Sequence, residues 1–442
     1  MEKILIPSEE MRFFNLVSID EVGEVFEWNN RIFRGVTKES KNLVDIYFSS
    51  GFIDEIVNKG LFPKTEISNF YNPKYCYIVE HERIGQQSID AEWSFDMLKD
   101  AAILVSEIAA IAWRYGFNMK DCHTKNVLFL KNKPIYVDLG SFVEKVEGTN
   151  GFRSYEQIMG YYYYTLKLWA DGCISLPKQL QSLYKFEKRD YMLYKHPLWR
   201  HLNSVVDIII SLETKMVMLT CMDNSAERIS NSRQLLFLWK ILNNINIFKW
   251  QKPNTFAKMF INIKTPKHLK AVKEDEKTIV INNESDIFQR GNKTIIINPN
   301  SYGFLDEYLE KYPKKEIVTI DINESAGNAN YLKYRGGKFN LTNFSFNMFY
   351  PTLHHNYQTP PTERYYGDSF IIVNPNKVAC ELRKPLYVLF RLLLQYSFEQ
   401  LIVIEEINKC MNNTSKEIIE QWYMNRTTVH NGFFILSEYQ KR

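Results

Sequence analysis

Asp121, Asn126 and Asp138 stand at D-x-x-x-x-N and then D-L-G spacing within YGFNMKDCHTKNVLFLKNKPIYVDLGSF, Tyr115 to Phe142. Between them lie an apolar run, a turn and a second apolar run. Phosphoryl transfer from ATP needs an acidic group to orient the attacking hydroxyl and two oxygen ligands to hold Mg²⁺ against the phosphates. Asp121 is the candidate for the first task, and Asn126 and Asp138 are the candidates for the second. D-x-x-x-x-N alone is a weak signal, because Asp and Asn are common in turns and caps. Its conjunction with D-L-G, across a strand pair and after a long helix, is the specific feature.

The elements that must position these groups are legible upstream. EVGEVFEWNNRIFRGV, Glu21 to Val36, alternates like a hairpin with Asn29-Asn30 at its turn. Lys38 to Lys59 reads as a helix broken at Ser49-Ser50-Gly51, and Tyr75 to Val79 as a strand. Ser94 is the expected N-cap of a helix from Phe95 to about Tyr115, since Leu98, Ala102, Val105, Ala109 and Ala112 recur at three- and four-residue steps. Val127 to Leu130 and Ile135 to Val137 then read as two short strands.

From Ser154 to about Trp250 the pattern is mainly helical, with aromatic stripes at Tyr161 to Ala170, from Leu180 and from Leu235 that read as core. Lys252 to Lys277 turns polar and Pro-containing, which marks a boundary. Beyond it, strands are expected at Thr294 to Ile297, Glu316 to Ile322, Ser369 to Val373, Leu401 to Glu405 and Gly432 to Leu436. Helices at Tyr302 to Lys311, Pro385 to Tyr396 and Lys416 to Met424 separate most of them, a texture that argues for a parallel, doubly wound sheet.

Composition sets outer limits. A chain of 442 residues, 45% hydrophobic and 24% charged, is long enough for two or three domains and ordinary for a folded protein. A net charge of +4 on this length gives no reason to expect nucleic acid, and the lysines from Lys264 to Lys277 read as a solvated linker. Six cysteines without a C-x-x-C pair support neither a zinc site nor a disulfide framework. The N-terminus lacks the apolar core of a signal peptide, and no stretch reaches about 18 uninterrupted apolar residues. The expectation is a cytoplasmic protein without a transmembrane segment.

In the first half, the order hairpin, broken helix, strand, long helix, D-x-x-x-x-N, strand pair, D-L-G resembles the protein-kinase and aminoglycoside-phosphotransferase superfamily. The resemblance implies that Asp121 is the catalytic aspartate and that Asn126 and Asp138 bind Mg²⁺. His123, two positions after Asp121, resembles the histidine of small-molecule kinases. The N-terminal part departs from the pattern. Val22-Gly23-Glu24 offers one glycine where a phosphate-covering loop should be, and Arg34 stands where an ATP-binding lysine is usual. Glu39 or Glu55 is the expected partner of Arg34 from the broken helix. Lys120 keeps a basic residue before Asp121, and Arg34, Glu55, His81, Lys120 and His123 form the candidate nucleotide-binding set.

The second half resembles a class I S-adenosylmethionine (SAM) methyltransferase. By that resemblance Asp321, closing EIVTIDI, takes the place of the acid on the ribose hydroxyls. Asn374, after FIIV, takes the fourth-strand position facing the methyl donor. The turn after the first strand reads Asn298-Pro299-Asn300-Ser301-Tyr302-Gly303, with Asn298 in place of an acid and Gly303 as its one glycine. His354-His355 lack a carboxylate at metal spacing and read as surface residues.

The whole chain resembles a bacterial family identified as SAM-dependent methyltransferases with a kinase-like N-terminal half. That likeness is carried by His81-Glu82-Arg83, Glu92-Trp93-Ser94-Phe95, MLKDA from Met97, Lys120-Asp121, Asn126 and VDLGSF from Val137. It implies an α+β kinase-like bilobal domain over 1–250, a linker over 251–277 and an α/β Rossmann-like, class I methyltransferase-like domain over 278–442. The expected activity is ATP- and Mg²⁺-dependent phosphotransfer to a small hydroxylated acceptor, a sugar or glycan end. The alternatives are a SAM-dependent O-methyltransferase whose kinase-like half binds the acceptor, and a scaffold of two pseudoenzymes with a protein partner.

Overall fold

The computed structural model describes residues 3–13, 20–84, 90–145, 150–173, 185–195, 205, 207–212, 256–270, 278–281, 286–288, 290–345, 367–394, 398–431 and 433–442. The chain forms two compact units. The first comprises Met1–Gly85, Leu98–Leu128 and Pro134–Lys264, and the second Gln86–Met97, Phe129–Lys133 and Thr265–Arg442. Two short pieces of the first half therefore belong with the second unit.

The first unit opens with β1 (Ile4–Leu5), β2 (Arg12–Phe13), β3 (Gly23–Trp28) and β4 (Arg31–Val36). After two helices come β5 (Thr65–Ile67), β6 (Phe70–Tyr71) and β7 (Tyr77–His81). Five of these strands make one sheet in the order β2-β3-β4-β7-β5, antiparallel throughout. The β3–β4 turn is the expected one: Asn29 and Asn30 have φ of 49° and 60°, the left-handed pair that a two-residue hairpin needs. The broken helix resolves into α1 (Lys41–Ser49) and α2 (Phe52–Asn58), divided at Gly51, whose φ of 80° is free of strain only without a Cβ. The strand expected at Tyr75 lies two residues later, because Asn72 and Tyr75 first close a turn.

The long helix is α3 (Phe95–Arg114). Ser94 does not cap it with its side chain, since its buried hydroxyl has no partner among the described residues. Instead the backbone N–H of Asp96 donates to Asn328 Oδ1 at 2.8 Å, within the second unit. After α3 come β8 (Phe117–Met119), β9 (Val127–Leu130), β10 (Lys133–Tyr136) and β11 (Phe142–Glu144). β8 and β11 pair antiparallel, Met119 opposite Phe142, which brings the residues just after β8 beside those just before β11. The backbone N–H of Lys120 donates to Ser141 O at 2.7 Å, and that of Val137 to Asn126 O at 2.9 Å.

An aromatic cluster supports this base. Tyr47 of α1 and Phe117 meet edge to face at 5.0 Å, as do Phe52 of α2 and Phe142 at 4.8 Å. Such pairs contribute about 0.5–1.5 kcal/mol beyond their buried area. Helix α4 (Asn150–Ile158) follows, then a single π turn at Met159–Tyr163 and an α-helix at Tyr164–Ala170. Tyr162, Tyr164, Leu166, Leu168 and Trp169 are buried, so this stripe is core as expected. The helical readings from Leu180 and Leu235 lie outside the described residues.

The second unit is built on seven strands: β12 (Lys293–Ile297), β13 (Glu316–Asp321), β14 (Leu341–Ser345), β15 (Ser369–Val373), β16 (Gln400–Glu406), β17 (Tyr423–Asn431) and β18 (Phe434–Lys441). They are ordered β14-β13-β12-β15-β16-β18-β17. β12 to β16 are parallel, as their apolar runs and intervening helices imply, and buried residues line them almost continuously. β18 is antiparallel to both neighbours, and with β17 it must be, because the link from Asn431 to Phe434 is too short for a parallel crossover. The order reverses between β12 and β15, which makes their carboxyl ends a topological switch point.

Two sequence expectations shift here. The last helix is Asn413–Glu420, started by Asn412, whose Oδ1 accepts from Ser415 N at 2.9 Å, and Tyr423 already opens β17. β14 was not expected from LTNFS, a stretch whose centre is polar. Its Asn343 is buried because the backbone N–H donates to Asn132 Oδ1 at 2.7 Å, while the two side-chain amides also bond each other.

Candidate functional site

In the first unit, three sequence-selected residues converge, Arg34, Asn126 and Asp138. Arg34, on β4, is 2% exposed and reaches Asp138, Nη2 to Oδ1 at 3.1 Å. Asp138 also accepts from the backbone N–H of Gly140 at 3.0 Å and from the Ser141 hydroxyl. Asn126 Nδ2 lies 3.4 Å from Asp138 Oδ2, 3.2 Å from Ser141 Oγ and 3.3 Å from the Tyr136 hydroxyl. Asp138 is thus an anion held by one cation and several neutral donors.

Asp121 is held through its backbone. The Tyr136 hydroxyl donates to its carbonyl at 2.6 Å. Gln157 of α4 accepts from the Cys122 N–H and donates to the Lys120 carbonyl at 2.7 Å, so one amide brackets Asp121 on both sides. These partners leave the Asp121 carboxylate without a hydrogen bond or ion pair among the described residues. A half-buried acid with a fixed backbone and an open carboxylate suits orientation of a hydroxyl.

Several expected partners are placed otherwise. Glu55 does not meet Arg34. It binds Lys59, Arg114 and the Tyr115 hydroxyl, and those bonds bring its carboxyl down to about 2. Arg34 instead takes Asp20, a residue with no sequence signal, as its second carboxylate. His81 is a core residue at 8% exposure, its Nδ1 2.9 Å from Thr65 Oγ1. Burial, with Arg34 nearby, pushes its imidazole down to about 3, so it is neutral. Lys120 pairs with Glu21 at 3.2 Å. His123 meets Tyr161 edge to face, its buried Nδ1 has no partner among the described residues, and burial lowers its pKa although Asp121 and Asp138 act to raise it.

Among the described residues no group of three or more His, Cys, Asp or Glu side chains is arranged to hold a metal ion. Asp138 and Asn126 offer two oxygen-bearing side chains, and further ligands would have to come from a substrate. Among the described residues Cys76, Cys122, Cys173, Cys380 and Cys410 form no disulfide, and no described helix is long and apolar enough to cross a membrane. His354-His355 lie outside the described residues.

In the second unit, the switch point is lined by asparagines. Asn298, just after β12, has φ of 55°, and its Nδ2 donates to Ser301 Oγ and to Val373 O, both at 2.8 Å. Its amide therefore spans the ends of β12 and β15. Asn374, after β15, has φ of 54° and caps the helix Pro375–Glu381, accepting from Lys377 N at 3.2 Å. Gly303, with φ of 65°, opens the helix Phe304–Lys311. Asp321, at the end of β13, is 1% exposed. Asn330 Nδ2 lies 3.0 Å from its Oδ2, and Asn300 Nδ2 donates to Oδ1 at 3.1 Å. Burial pushes its carboxyl up to about 7, against the lowering effect of Asn330. Asn300 and Asn330 had no individual signal in the sequence, although Asn300 stands within the turn singled out there.

No family model matches the chain. Over 124 residues it is 23% identical to nodulation protein NoeA of Rhizobium meliloti (strain 1021), a match covering 27% of this chain and 26% of the relative. The chain thus spans about a quarter of the length of that curated relative. Among solved structures, it is similar to the 16S rRNA methylase RmtB at 11% identity and a TM-score of 0.25, over 64% of this chain and 92% of that one. For mitomycin 7-O-methyltransferase MmcR the values are 12% and 0.24, over 34% and 49%. For human N-acetylserotonin methyltransferase they are 10% and 0.23, over 36% and 49%. These neighbours over part of the chain are methyltransferases. At such TM-scores the strand order, not the likeness, carries the description of the sheet, and none of them bears on the kinase-like expectation.

Proposed function

We propose that the chain is a SAM-dependent methyltransferase-like protein whose second unit holds the cofactor and whose first unit binds a hydroxylated acceptor. One observation carries this reading: a buried carboxylate, Asp321, ends the strand beside the switch point of a doubly wound sheet, where such folds bind ligands. Its chemistry fits a ribose diol. Of its two amide donors, Asn300 offers an N–H group that a hydroxyl can replace while Asn330 keeps the carboxylate paired. SAM, when bound, supplies the electrophilic methyl group. The chain's own part is to accept the diol at Asp321 and to keep the β12 turn rigid through Asn298. Calorimetry with S-adenosylhomocysteine tests this. The wild type should bind, and Asp321→Ala should weaken binding at least about tenfold, the loss of a charge-assisted pair. Absence of binding in the wild type, or binding indifferent to Asp321→Ala, sinks the reading.

A second reading is favoured by the convergence of Arg34, Asn126 and Asp138 beside Asp121. In it the first unit is an ATP- and Mg²⁺-dependent phosphotransferase for a small hydroxylated acceptor, a sugar or glycan end. Asp121 orients the hydroxyl, Asn126 and Asp138 would hold the metal, and Arg34 steadies the phosphates. Nucleotide-dependent thermal shift with and without Mg²⁺ is the direct check, and Asp138→Ala should abolish any ATP turnover.

A further inference from the structure

The guanidinium of Arg34 faces two carboxylates of different origin. Asp138 comes from the D-L-G turn and is tied by Arg34, Asn126, Gly140 and Ser141. Asp20 comes from just ahead of the β3–β4 hairpin, and its Oδ2 takes the other terminal nitrogen, Nη1, of Arg34. Its Oδ1 also accepts from the Val22 N–H at 2.9 Å, which fixes the side chain in a tight local turn. The same carboxylate lies directly against Gly140: a Cβ added there would collide with both of its oxygens. Arg34 Nε, buried, has no partner among the described residues, so the guanidinium's donors toward this site go to the two acids.

A carboxylate and a phosphate oxyanion make the same demand on a guanidinium, planar acceptance of charge-assisted hydrogen bonds. An acid so placed excludes a phosphate twice. It occupies the donor, and with Asp138 it sets two carboxylates against one guanidinium, a field that repels a polyanion. We propose that Asp20 is an internal plug: its carboxylate occupies the phosphate-binding face of Arg34, and the first unit accepts a polyphosphate only when Asp20 is displaced. The inference rests on the phosphotransferase reading only for the class of anion. Gly140 is part of the device, because the D-L-G glycine is what leaves room for the plug.

The experiment measures binding of sodium tripolyphosphate and of magnesium ATP to the full chain by calorimetry. Asp20→Asn removes the charge, and Gly140→Ala pushes the Asp20 side chain aside while keeping it. Each should bind tripolyphosphate at least tenfold more tightly than the wild type, and Arg34→Met added to either should erase the gain. Thermal melts identify any variant that fails to fold, and because the two variants act by different routes, either one alone suffices. Equal affinity in wild type and variants, absence of binding in all of them, or a gain that survives Arg34→Met overturns the plug. ATP turnover, read separately, keeps the two ideas apart. An Asp20→Asn chain that binds tripolyphosphate but does not turn over ATP retains the plug and ends the phosphotransferase reading. Wild-type turnover that Asp20→Asn leaves unchanged does the reverse.

Discussion

Asp138 and Asp321 are both carboxylates at or just beyond a strand end, yet the two units treat them in opposite ways. The Asp138 side chain is 23% exposed and is matched by a buried guanidinium. Asp321 is 1% exposed and has amide donors from Asn300 and Asn330, with no cation bonded to it among the described residues. Burial without a counter-charge lifts Asp321 to about 7. The comparison separates two kinds of preparation. A carboxylate beside a cation is set up for ionic ligands, whereas a buried carboxylate among amides is set up for neutral hydroxyl donors.

The largest effect that could break this contrast is at Arg34. Replacing it by Ala leaves Asp20 and Asp138 facing each other without a cation, and should cost about 3–5 kcal/mol in urea denaturation of the full chain. A loss below about 1 kcal/mol would mean that the cluster is already solvated and not preformed. In the second unit, Asn328→Ala should cost about 1–3 kcal/mol. Asn328 is fully buried and bonds the Asp96 N–H, the Asp96 carboxylate and the Leu269 carbonyl. A neutral outcome at Asn328 would detach the start of α3 from the second unit's stability.

The smallest effect is a divergence with pH, at most about 1.4 kcal/mol per pH unit for each group. Folded Asp321 keeps its proton up to about 7, while the unfolded group releases it near 3.8. Its contribution is therefore present below 3.8 and is lost as pH rises toward 7. Glu405, raised to about 7 by burial, has the same sign. His81 runs the other way. Its folded pKa of about 3 lies below the ordinary 6.5, so its contribution is present above 6.5 and is lost as pH falls toward 3. Hydrogen-exchange protection factors should fall in β12 and β13 between pH 5 and 7 and rise in β7. Asp321→Asn should flatten only the former. Parallel trends in the two units would remove the distinction.

Much of the scaffold was legible because its signals are local. The Asn29-Asn30 turn, the break at Gly51, the period of α3 and the apolar runs of β12, β13, β15 and β16 each depend on neighbours within a few residues. β14 escaped because its central Asn343 is buried by a partner, Asn132, far away in the chain. The broken helix offers Glu39 or Glu55 as the partner of Arg34, but three nearer donors, Lys59, Arg114 and Tyr115, take Glu55. Asp20, Gln157, Asn300 and Asn330 carry no individual motif. Each acts through side-chain bonds to residues that only the assembled strands and helices bring within reach.

The sequence by itself determined the three groups of D-x-x-x-x-N and D-L-G and the acid that ends the second strand of the second unit, because residue type and spacing set which chemistry is possible. Tertiary structure decided what those groups face. It set Asp20 rather than Glu55 on Arg34, left the Asp121 carboxylate open while saturating Asp138, and buried Asp321 under amides. The physical reason is that charge and hydrogen-bond strength depend on distance and exposure, and both are properties of the assembled fold.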